Sequence, residues 1–266
     1  MLVKKRIALV SSVLKYGDKK ANILEMENMI LNHRKEDIDM FVFAELNIIG
    51  GMWKNADNDY INLAEEIPNG ESCKHIINLS KKYNTIICAG IVEKDCDNFY
   101  ITHFLCEPQG YIGKQRKLFP HNPTKKSVFK TGNKVIGLNL FDVKCAILAC
   151  ADFLLPEPTL LAGIEQCSII ISPTDCFYQS QISNVKNLLR TRAMDLGGPA
   201  LAVFGHSESI EEQKVLAAIV SDNYGNILKL ETRDKKESKV VVVEIEIKES
   251  KYKWGNFQQR KKFLET

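Results

Sequence analysis

Short apolar runs alternate with helical patterns along this chain, and the alternation predicts an α/β fold. Arg6 to Val13 is predicted as the first strand, and Asp18 is predicted to cap the helix that follows it. Met40 to Ala44 is almost wholly apolar, which indicates a strand buried on both faces. Apolar residues at helical spacing predict two further helices, Glu71 to Tyr83 and Ser180 to Leu196, the second of which stops at a Gly-Gly pair.

The other apolar runs are predicted as strands, and several follow one another after only a few residues, which favours mixed sheets. They are Thr85 to Val92, Phe99 to Glu107, Tyr111 to Arg116, Val135 to Leu140, Lys144 to Ala149, Cys167 to Ser172, Ala200 to Phe204, Lys214 to Ser221 and Lys239 to Ile247. A short helix is expected between Ala149 and Cys167. No linker-like or low-complexity segment divides the chain, so we expect residues 1–266 to form one α/β domain with helices covering the sheets.

The charge balance argues against several classes of partner. The 36 basic and 33 acidic residues leave a net charge of only +3, which favours neither a nucleic acid nor an anionic membrane. No apolar run reaches the about 18 residues that a membrane helix needs. The eight cysteines follow no zinc-ligand spacing, and several lie inside apolar runs. We therefore expect reduced thiols in a cytoplasmic protein that holds no metal.

One cysteine stands apart from the others by its surroundings. Cys150 follows the predicted strand Lys144 to Ala149 and precedes Pro156-Glu157, a pair that could open a helix. A sharp turn from strand to helix exposes a nucleophile and sets a backbone N–H beside it for a developing oxyanion. A buried structural thiol is the alternative explanation for any single cysteine, and it is the one we assign to Cys88, Cys145 and Cys167.

Two more reactive side chains follow predicted strands. Glu45 comes directly after Met40 to Ala44, and Lys117 follows Tyr111 to Arg116. A thiol is mostly protonated at neutral pH and needs a base, which Glu45 could supply, while Lys117 and the Ala151 N–H could hold an oxyanion. The alternatives are a Glu45 that caps a turn or pairs with a surface lysine, and a Lys117 that belongs to an exposed basic run.

These segments resemble the carbon–nitrogen hydrolase, or nitrilase, superfamily over nearly the whole chain. The similar segments are Phe43 to Leu46 with Gly50, Ile112 to Lys117, Cys150 to Asp152 with Pro156-Glu157, Arg190 to Asp195, and Ser221 to Gly225. The resemblance implies a four-layer αββα sandwich with two mixed sheets, usually paired into a homodimer. It also implies hydrolysis of a non-peptide C–N bond through a thioester, without a cofactor, with Glu45, Lys117 and Cys150 as the catalytic residues.

One position departs from the family pattern. Many members carry a second glutamate seven residues before a glycine in the loop after the lysine, and here Lys125 occupies that place. Three explanations stay open: a negatively charged substrate, a lysine that points to solvent while another group substitutes, or a site that has lost its chemistry. His121, Lys125, Cys176 and His206 lie in loops after predicted strands and are candidate substrate-binding residues.

The expected function is a cytoplasmic amidase-type hydrolase that acts on a small amide or carbamoyl compound. Two rival functions belong to other classes. One is a catalytically silent relative that binds or regulates, motivated by Lys125, and the other is an N-acyltransferase that uses the same acyl-enzyme. A Rossmann-type nucleotide enzyme is disfavoured, because no Gly-x-Gly-x-x-Gly follows the first strand.

Overall fold

Two β-sheets packed face to face form the centre of the protein. The structure is a computed structural model that describes residues 2–51, 57–120, 128–175, 177–207, 214–233, 237–249 and 262. Three of the candidate residues, His121, Lys125 and Cys176, lie outside the described residues.

The first sheet is mixed and has six strands. They are β1 (Leu2–Ser11), β3 (Met40–Phe43), β4 (Ile86–Asp95), β5 (Asn98–Glu107), β6 (Gly110–Arg116) and β14 (Lys239–Lys248). Their order across the sheet is β14-β1-β3-β4-β5-β6. β1, β3 and β4 are parallel, whereas β14 and β5 run antiparallel to their neighbours. Because β6 is antiparallel to β5, it runs in the same direction as β4 and ends at the same edge.

The second sheet is also mixed and has eight strands. They are β2 (Val13–Leu14), β7 (Leu138–Leu140), β8 (Val143–Ile147), β9 (Cys167–Asp175), β10 (Phe177–Tyr178), β11 (Ala200–Ser207), β12 (Lys214–Ser221) and β13 (Ile227–Arg233). The main path is β10-β12-β11-β9-β8-β7, with β13 paired to β12 and β2 paired to β11. β8, β9 and β11 are parallel, so their carboxyl ends meet at one edge.

Helices cover the outer faces of both sheets. They are α1 (Lys19–Asn32), α2 (Asp57–Leu63), α3 (Glu71–Tyr83), α4 (Ala151–Leu154), α5 (Pro156–Ile164) and α6 (Ile182–Leu196), with a 3-10 turn at Gln179–Gln181. The Asp18 carboxylate accepts the N–H of Ala21 at 2.9 Å and so caps α1, as expected. α6 ends at Gly197, whose φ of +74° is the left-handed conformation that glycine adopts without a Cβ clash.

Three apolar clusters separate four layers. The first lies between the first sheet and α1 and α3, and includes Ile23, Met26 and Ile76. The second fills the space between the sheets and includes Leu9 of the first sheet and Ile171 of the second. The third lies between the second sheet and α6, around Leu189. The order helix, sheet, sheet, helix confirms the expected four-layer αββα sandwich with two mixed sheets.

Some element boundaries differ from the sequence-based expectation. The predicted strand Val135 to Leu140 is a strand only over Leu138–Leu140, because it pairs in a tight hairpin with β8 and that pairing ends at Leu138. β13 was not predicted at all. Its residues alternate between half-buried and exposed, so its sequence, rich in charged residues, lacks the apolar face of an interior strand. The one short helix expected after Cys150 is two helices, with Pro156 at the start of the second.

The structure also bears on two expectations from the sequence, that the thiols are reduced and that the chain has no membrane helix. The seven cysteines among the described residues are all free thiols, and five of them are fully buried. Within the same described ranges, the helices are too short or too polar to cross a bilayer.

Candidate active site

A buried ion pair joins two residues that are 72 positions apart in the chain. The Lys117 Nζ lies 2.6 Å from the Glu45 Oε1, and the two side chains are only 0% and 1% exposed. Glu45 follows the end of β3 and Lys117 follows the end of β6, so the pair forms where both strands leave the first sheet. The structure therefore excludes the two alternatives in which these side chains lie on the surface.

Two hydrogen bonds to β9 hold Glu45 in place, one through its backbone N–H and one through its carboxylate. The N–H of Glu45 donates to the carbonyl of Thr174 at 3.4 Å, and the N–H of Asp175 donates to the Glu45 Oε2 at 3.3 Å. Leu46, the next residue, has a φ of +51°, so the chain turns sharply as soon as it leaves the strand. These contacts join the first sheet to the end of β9 in the second sheet. One carboxylate oxygen thus faces Lys117 and the other faces a backbone donor.

Lys117 is fixed through its own backbone as well. Its N–H donates to the carbonyl of Ile101 and its carbonyl accepts the N–H of Gly132, both at 2.8 Å. Burial, the largest single influence, lowers the pKa of the Lys117 ammonium, but Glu45, helped by Cys150 and Asp152, raises the pKa above its ordinary value. Lys117 is therefore a permanent cation at neutral pH, as an oxyanion-stabilising group must be.

Cys150 occupies the turn between β8 and α4. Its φ of +47° and ψ of −108° are unusual for a residue with a Cβ, and such strain is typical of functional turns. Its N–H donates to the carbonyl of Pro173 at 3.0 Å, which ties the turn to β9. Ala151 is the first residue of α4, so its N–H is one that the helix leaves without an intrahelical acceptor. Both predicted features of this segment, the sharp turn and the helix start, are present.

The Cys150 thiol is held in its protonated form by its surroundings. Burial and the carboxylates of Glu45 and Asp175 raise its pKa to about 12, although Lys117 and a backbone hydrogen bond from Asp175 act in the opposite direction. The charges of Glu45 and Lys117 both act on this thiol. The backbone N–H groups of Glu45 and Cys150 bond to consecutive residues of β9, Thr174 and Pro173, so the thiol lies beside the ion pair. A thiol with this pKa needs a base to take its proton during attack on a carbonyl.

Two charged side chains fix the short helix α4 that follows Cys150, one to the lysine segment and one to α6. The Asp152 carboxylate accepts the N–H of Leu118 at 3.0 Å and that of Phe119 at 2.9 Å, so it links α4 to the residues after Lys117. Burial raises the pKa of Asp152 to about 6, against the lowering effect of these two N–H groups and of Lys117. The sequence alone did not reveal this link between the nucleophile turn and the lysine segment. Arg192 donates to the last carbonyls of α4, those of Phe153 and Leu154.

Sequence reasoning missed two further features of the site. One is the backbone N–H of Asp175, which contacts both Glu45 and Cys150, and no side-chain pattern could have revealed it. The other is His103, a fully buried histidine of β5 on which the charges of Glu45 and Lys117 act. Its signal in the sequence was a histidine within a largely apolar strand, a pattern that usually marks a hydrogen-bonded core residue.

Of the four candidate substrate-binding residues, only His206 lies within the described residues. His206 lies near the end of β11, where its Nδ1 is 2.8 Å from the carbonyl of Ser207. Its neighbour Gly205 pairs with Asp175, so His206 lies at the same sheet edge as the site. His121, Lys125 and Cys176 fall outside the described residues. Within the described part of the chain, no group of three His, Cys, Asp or Glu side chains is arranged to hold a metal ion.

An open cleft of about 1210 Å³ lies at the other end of the strands. Its lining includes Val3, Ile86 and Lys144, which stand at the starts of β1, β4 and β8, whereas the site described above lies beyond the ends of the parallel strands. In open α/β sheets, ligands gather at the carboxyl ends of the strands. The position of the cleft therefore separates it from the chemistry of Cys150.

Solved structures of other proteins share this fold. An amidase from Nesterenkonia sp. AN1 in complex with acrylamide superposes with a TM-score of 0.78 at 16% identity, covering 98% of this chain and 95% of that one. A nitrilase-superfamily protein of Saccharomyces cerevisiae gives 0.78 at 19% identity, with 98% and 94% covered. A carbon–nitrogen hydrolase from Helicobacter pylori G27 gives 0.76 at 17% identity, with 91% and 88% covered. At such low sequence identities, these superpositions show only that the proteins share a fold.

Sequence comparison identifies the family. A nitrilase from Pyrococcus abyssi is 26% identical over 157 residues, 58% of this chain and 58% of that protein. A citrullinase from Francisella tularensis subsp. tularensis is 26% identical over 179 residues, 64% of this chain and 60% of that protein. The matches thus span less than two thirds of either relative's length. The family model for carbon–nitrogen hydrolases matches residues 6–251. With most of its length matched by that model, the chain belongs to the carbon–nitrogen hydrolase family.

Proposed function

We propose that this protein is a cysteine-dependent hydrolase of a non-peptide C–N bond in a small amide or carbamoyl compound. The observation that carries the proposal is the buried Glu45–Lys117 contact of 2.6 Å beside a thiol in a strained turn. Burying two charges is expensive, and such pairs with a neighbouring nucleophile occur where chemistry requires them.

Each step of the reaction has a candidate residue. The Cys150 sulfur attacks the substrate carbonyl while Glu45 takes the thiol proton. Lys117 and the Ala151 N–H stabilise the oxyanion of the tetrahedral intermediate. Ammonia or an amine then leaves with the proton from Glu45, and a thioester remains on Cys150. Glu45 next activates a water that attacks the thioester, so that the acid is released and the thiol is restored.

The decisive experiment measures ammonia release by the wild type and Cys150→Ala across a panel of compounds. The panel contains ω-amides of dicarboxylic acids, acrylamide, N-carbamoyl amines and amino acids, citrulline and simple nitriles. Citrulline and the nitriles are included because a citrullinase and a nitrilase are among the similar proteins. We expect release from at least one class in the wild type and none in Cys150→Ala. Cys145→Ala, which removes a buried thiol from β8 instead, is the matched control and should keep the activity per folded molecule.

Other results would support the rival functions. If the folded wild type releases no ammonia from any compound of the panel, the result would favour a catalytically silent binding protein and make Lys125 the first suspect. Product that grows only when an amine such as hydroxylamine is added would favour an N-acyltransferase. Equal turnover by wild type and Cys150→Ala would refute the mechanism altogether.

We also propose that two copies of the chain pair through the outer face of α5 and α6. Large apolar side chains are exposed there: Leu161 on α5, Met194 on α6 and Tyr224 in the turn before β13. The Met194 sulfur packs beside Gly225, so the last two belong to one surface. Light scattering should report a dimer, and Met194→Glu should convert it to a monomer. Leu24→Glu changes a more exposed leucine on α1 and should leave the dimer intact.

The free thiols also support a cytoplasmic location, because reducing compartments are where unpaired cysteines persist. Fractionation of cells that express the tagged protein tests the assignment.

A further inference from the structure

A buried histidine without a hydrogen-bond partner lies beside the proposed catalytic pair. His103 is 0% exposed, and within the described part of the chain neither its Nδ1 nor its Nε2 has a partner. Buried polar atoms are nearly always hydrogen-bonded, since an unpaired one destabilises the folded protein. An apolar side chain of similar size would fill the same space without that penalty. The ring therefore calls for an explanation other than packing.

The strand pairing sets the ring at the top of the layer between the two sheets. His103 pairs with Gly90 of β4, and two residues away on the same strands Leu105 pairs with Cys88. Leu105 and Cys88 belong to the apolar cluster between the sheets, and side chains two apart on a strand share a face. His103 thus faces the same layer, but nearer the sheet edge at which Glu45 and Lys117 lie.

Contacts around Gly90 show how close the ring comes to the site. A Cβ added to Gly90 would lie 2.5 Å from the His103 Nε2 and 3.0 Å from the backbone N of Leu46, the residue after Glu45. The His103 ring can therefore pack this close to the Leu46 backbone only because residue 90 is a glycine without a side chain. On the other side, the N–H of Lys117 donates to the carbonyl of Ile101, two residues before His103. The backbone that follows Glu45 thus lies next to the ring, and the strand that carries the ring also fixes the backbone of Lys117.

The charges of the pair reach the imidazole directly. Burial lowers the pKa of His103 to about 4, Lys117 adds to this effect, and Glu45 opposes it. The ring is therefore neutral at pH 7, with one N–H donor and one acceptor lone pair. A neutral ring can accept from an ammonium or donate to a carboxylate without adding a charge to the site.

The reaction changes the charge that the pair carries. When Glu45 takes the thiol proton, the buried Lys117 ammonium loses the carboxylate that it contacts at rest. A nearby dipole with both a donor and an acceptor reduces the free energy of that change, because electrostatic interactions are strong in a site that excludes water.

We propose that His103 is a positioning residue that stabilises the Glu45–Lys117 pair through the change in protonation of Glu45. This inference rests on the proposed function. The inference gives His103, a residue between the two sheets, a role in the rate of the chemical step. It also explains why a polar side chain without a partner occupies this position.

The test compares His103→Leu, His103→Asn and, as a matched control, Leu105→Val on the same face of β5. We expect His103→Leu to raise Tm by about 2–4 °C, since it removes two unpaired polar atoms from a protein of this size. We expect its kcat to fall about tenfold with KM changed less than about twofold, because the ring acts on the transition state and not on substrate binding. His103→Asn, which keeps a donor and an acceptor, should recover part of the kcat. Leu105→Val should lower Tm and leave kcat per folded molecule unchanged.

Two measurements that need no substrate turnover test this inference separately from the proposed function. The rate at which iodoacetamide alkylates Cys150 at pH 8 should fall about fivefold in His103→Leu, because Glu45 then accepts the thiol proton less readily. The ¹⁵N shifts of the His103 ring, assigned by their loss in His103→Leu, should move in Glu45→Gln. If no substrate is found but both changes occur, the proposed function fails and the role of His103 stands. A His103→Leu protein with wild-type kcat, alkylation rate and pH profile would overturn the inference, as would one with a lowered Tm.

Discussion

The Glu45–Lys117 contact can be tested by stability alone, without knowledge of the substrate. Glu45→Gln leaves an ammonium that is 0% exposed without its carboxylate, and Lys117→Met leaves a carboxylate that is 1% exposed without its ammonium. Removing one partner of a buried ion pair destabilises a protein by about 3–5 kcal/mol, whereas replacing both with uncharged groups is often close to neutral. We therefore expect each single variant to lose about 3 kcal/mol or more. The double variant should lose less than either, with a coupling energy of at least about 2 kcal/mol.

The pH dependence of the Glu45→Gln variant has a definite sign. In the wild type the pKa of Lys117 is raised, so its contribution to stability is present below its unfolded pKa of about 10.4 and is lost as pH rises through the folded value. Without the Glu45 carboxylate, burial dominates and the pKa of Lys117 falls below its ordinary value. Folding then releases a proton, so the free energy of unfolding of the variant should increase from about pH 7 to pH 10.

Urea unfolding of the wild type, both single variants and the double variant gives the full cycle. The control is Lys4→Met, which removes an exposed cation that lies 3.4 Å from Glu244 and should cost less than about 1 kcal/mol. Single variants that lose no more than this control, or a coupling energy below about 0.5 kcal/mol, would refute the buried pair as the structural centre of the site.

Three further predictions concern the nucleophile turn. The rate of Cys150 alkylation by iodoacetamide should keep rising beyond pH 10, because the pKa of the resting thiol is about 12. A rate that levels off near the unperturbed cysteine pKa of about 8.5 would contradict this. Asp152→Asn should lose about 1–3 kcal/mol in urea unfolding, since each carboxylate oxygen accepts one N–H and asparagine replaces one of these oxygens with an NH2 donor. A loss below about 0.5 kcal/mol would show that the contact does not hold the segment. Cys150→Gly should abolish turnover but keep or raise Tm, because glycine adopts a φ of +47° without a Cβ clash. A clear drop in Tm would argue against backbone strain at residue 150.

Local patterns predicted the elements whose structure depends on nearby residues. α3 begins and ends as expected, because its apolar residues recur at helical spacing and Asn84 closes it in the left-handed conformation. β13 escaped prediction, because it pairs with β12 on one side while its side chains stay half-buried or exposed. The first part of the predicted strand Val135 to Leu140 failed for a related reason. Whether an apolar run becomes a strand depends on a pairing partner, and the partner strand β8 reaches only to Leu138.

By itself, the sequence determined the alternation of strands and helices, the places where Glu45, Lys117 and Cys150 leave their strands, and the family. Only the tertiary structure decided what these residues touch. Strand order and the packing of the two sheets bring the ends of β3, β6, β8 and β9 together. In the first sheet, this assembly reduces a separation of 72 residues to a contact of 2.6 Å. It also aims the Asp175 N–H at the site and leaves His103 buried without a partner in the described part of the chain. These features arise from long-range packing, and burial, charge and hydrogen bonding between distant segments are not encoded in local periodicity.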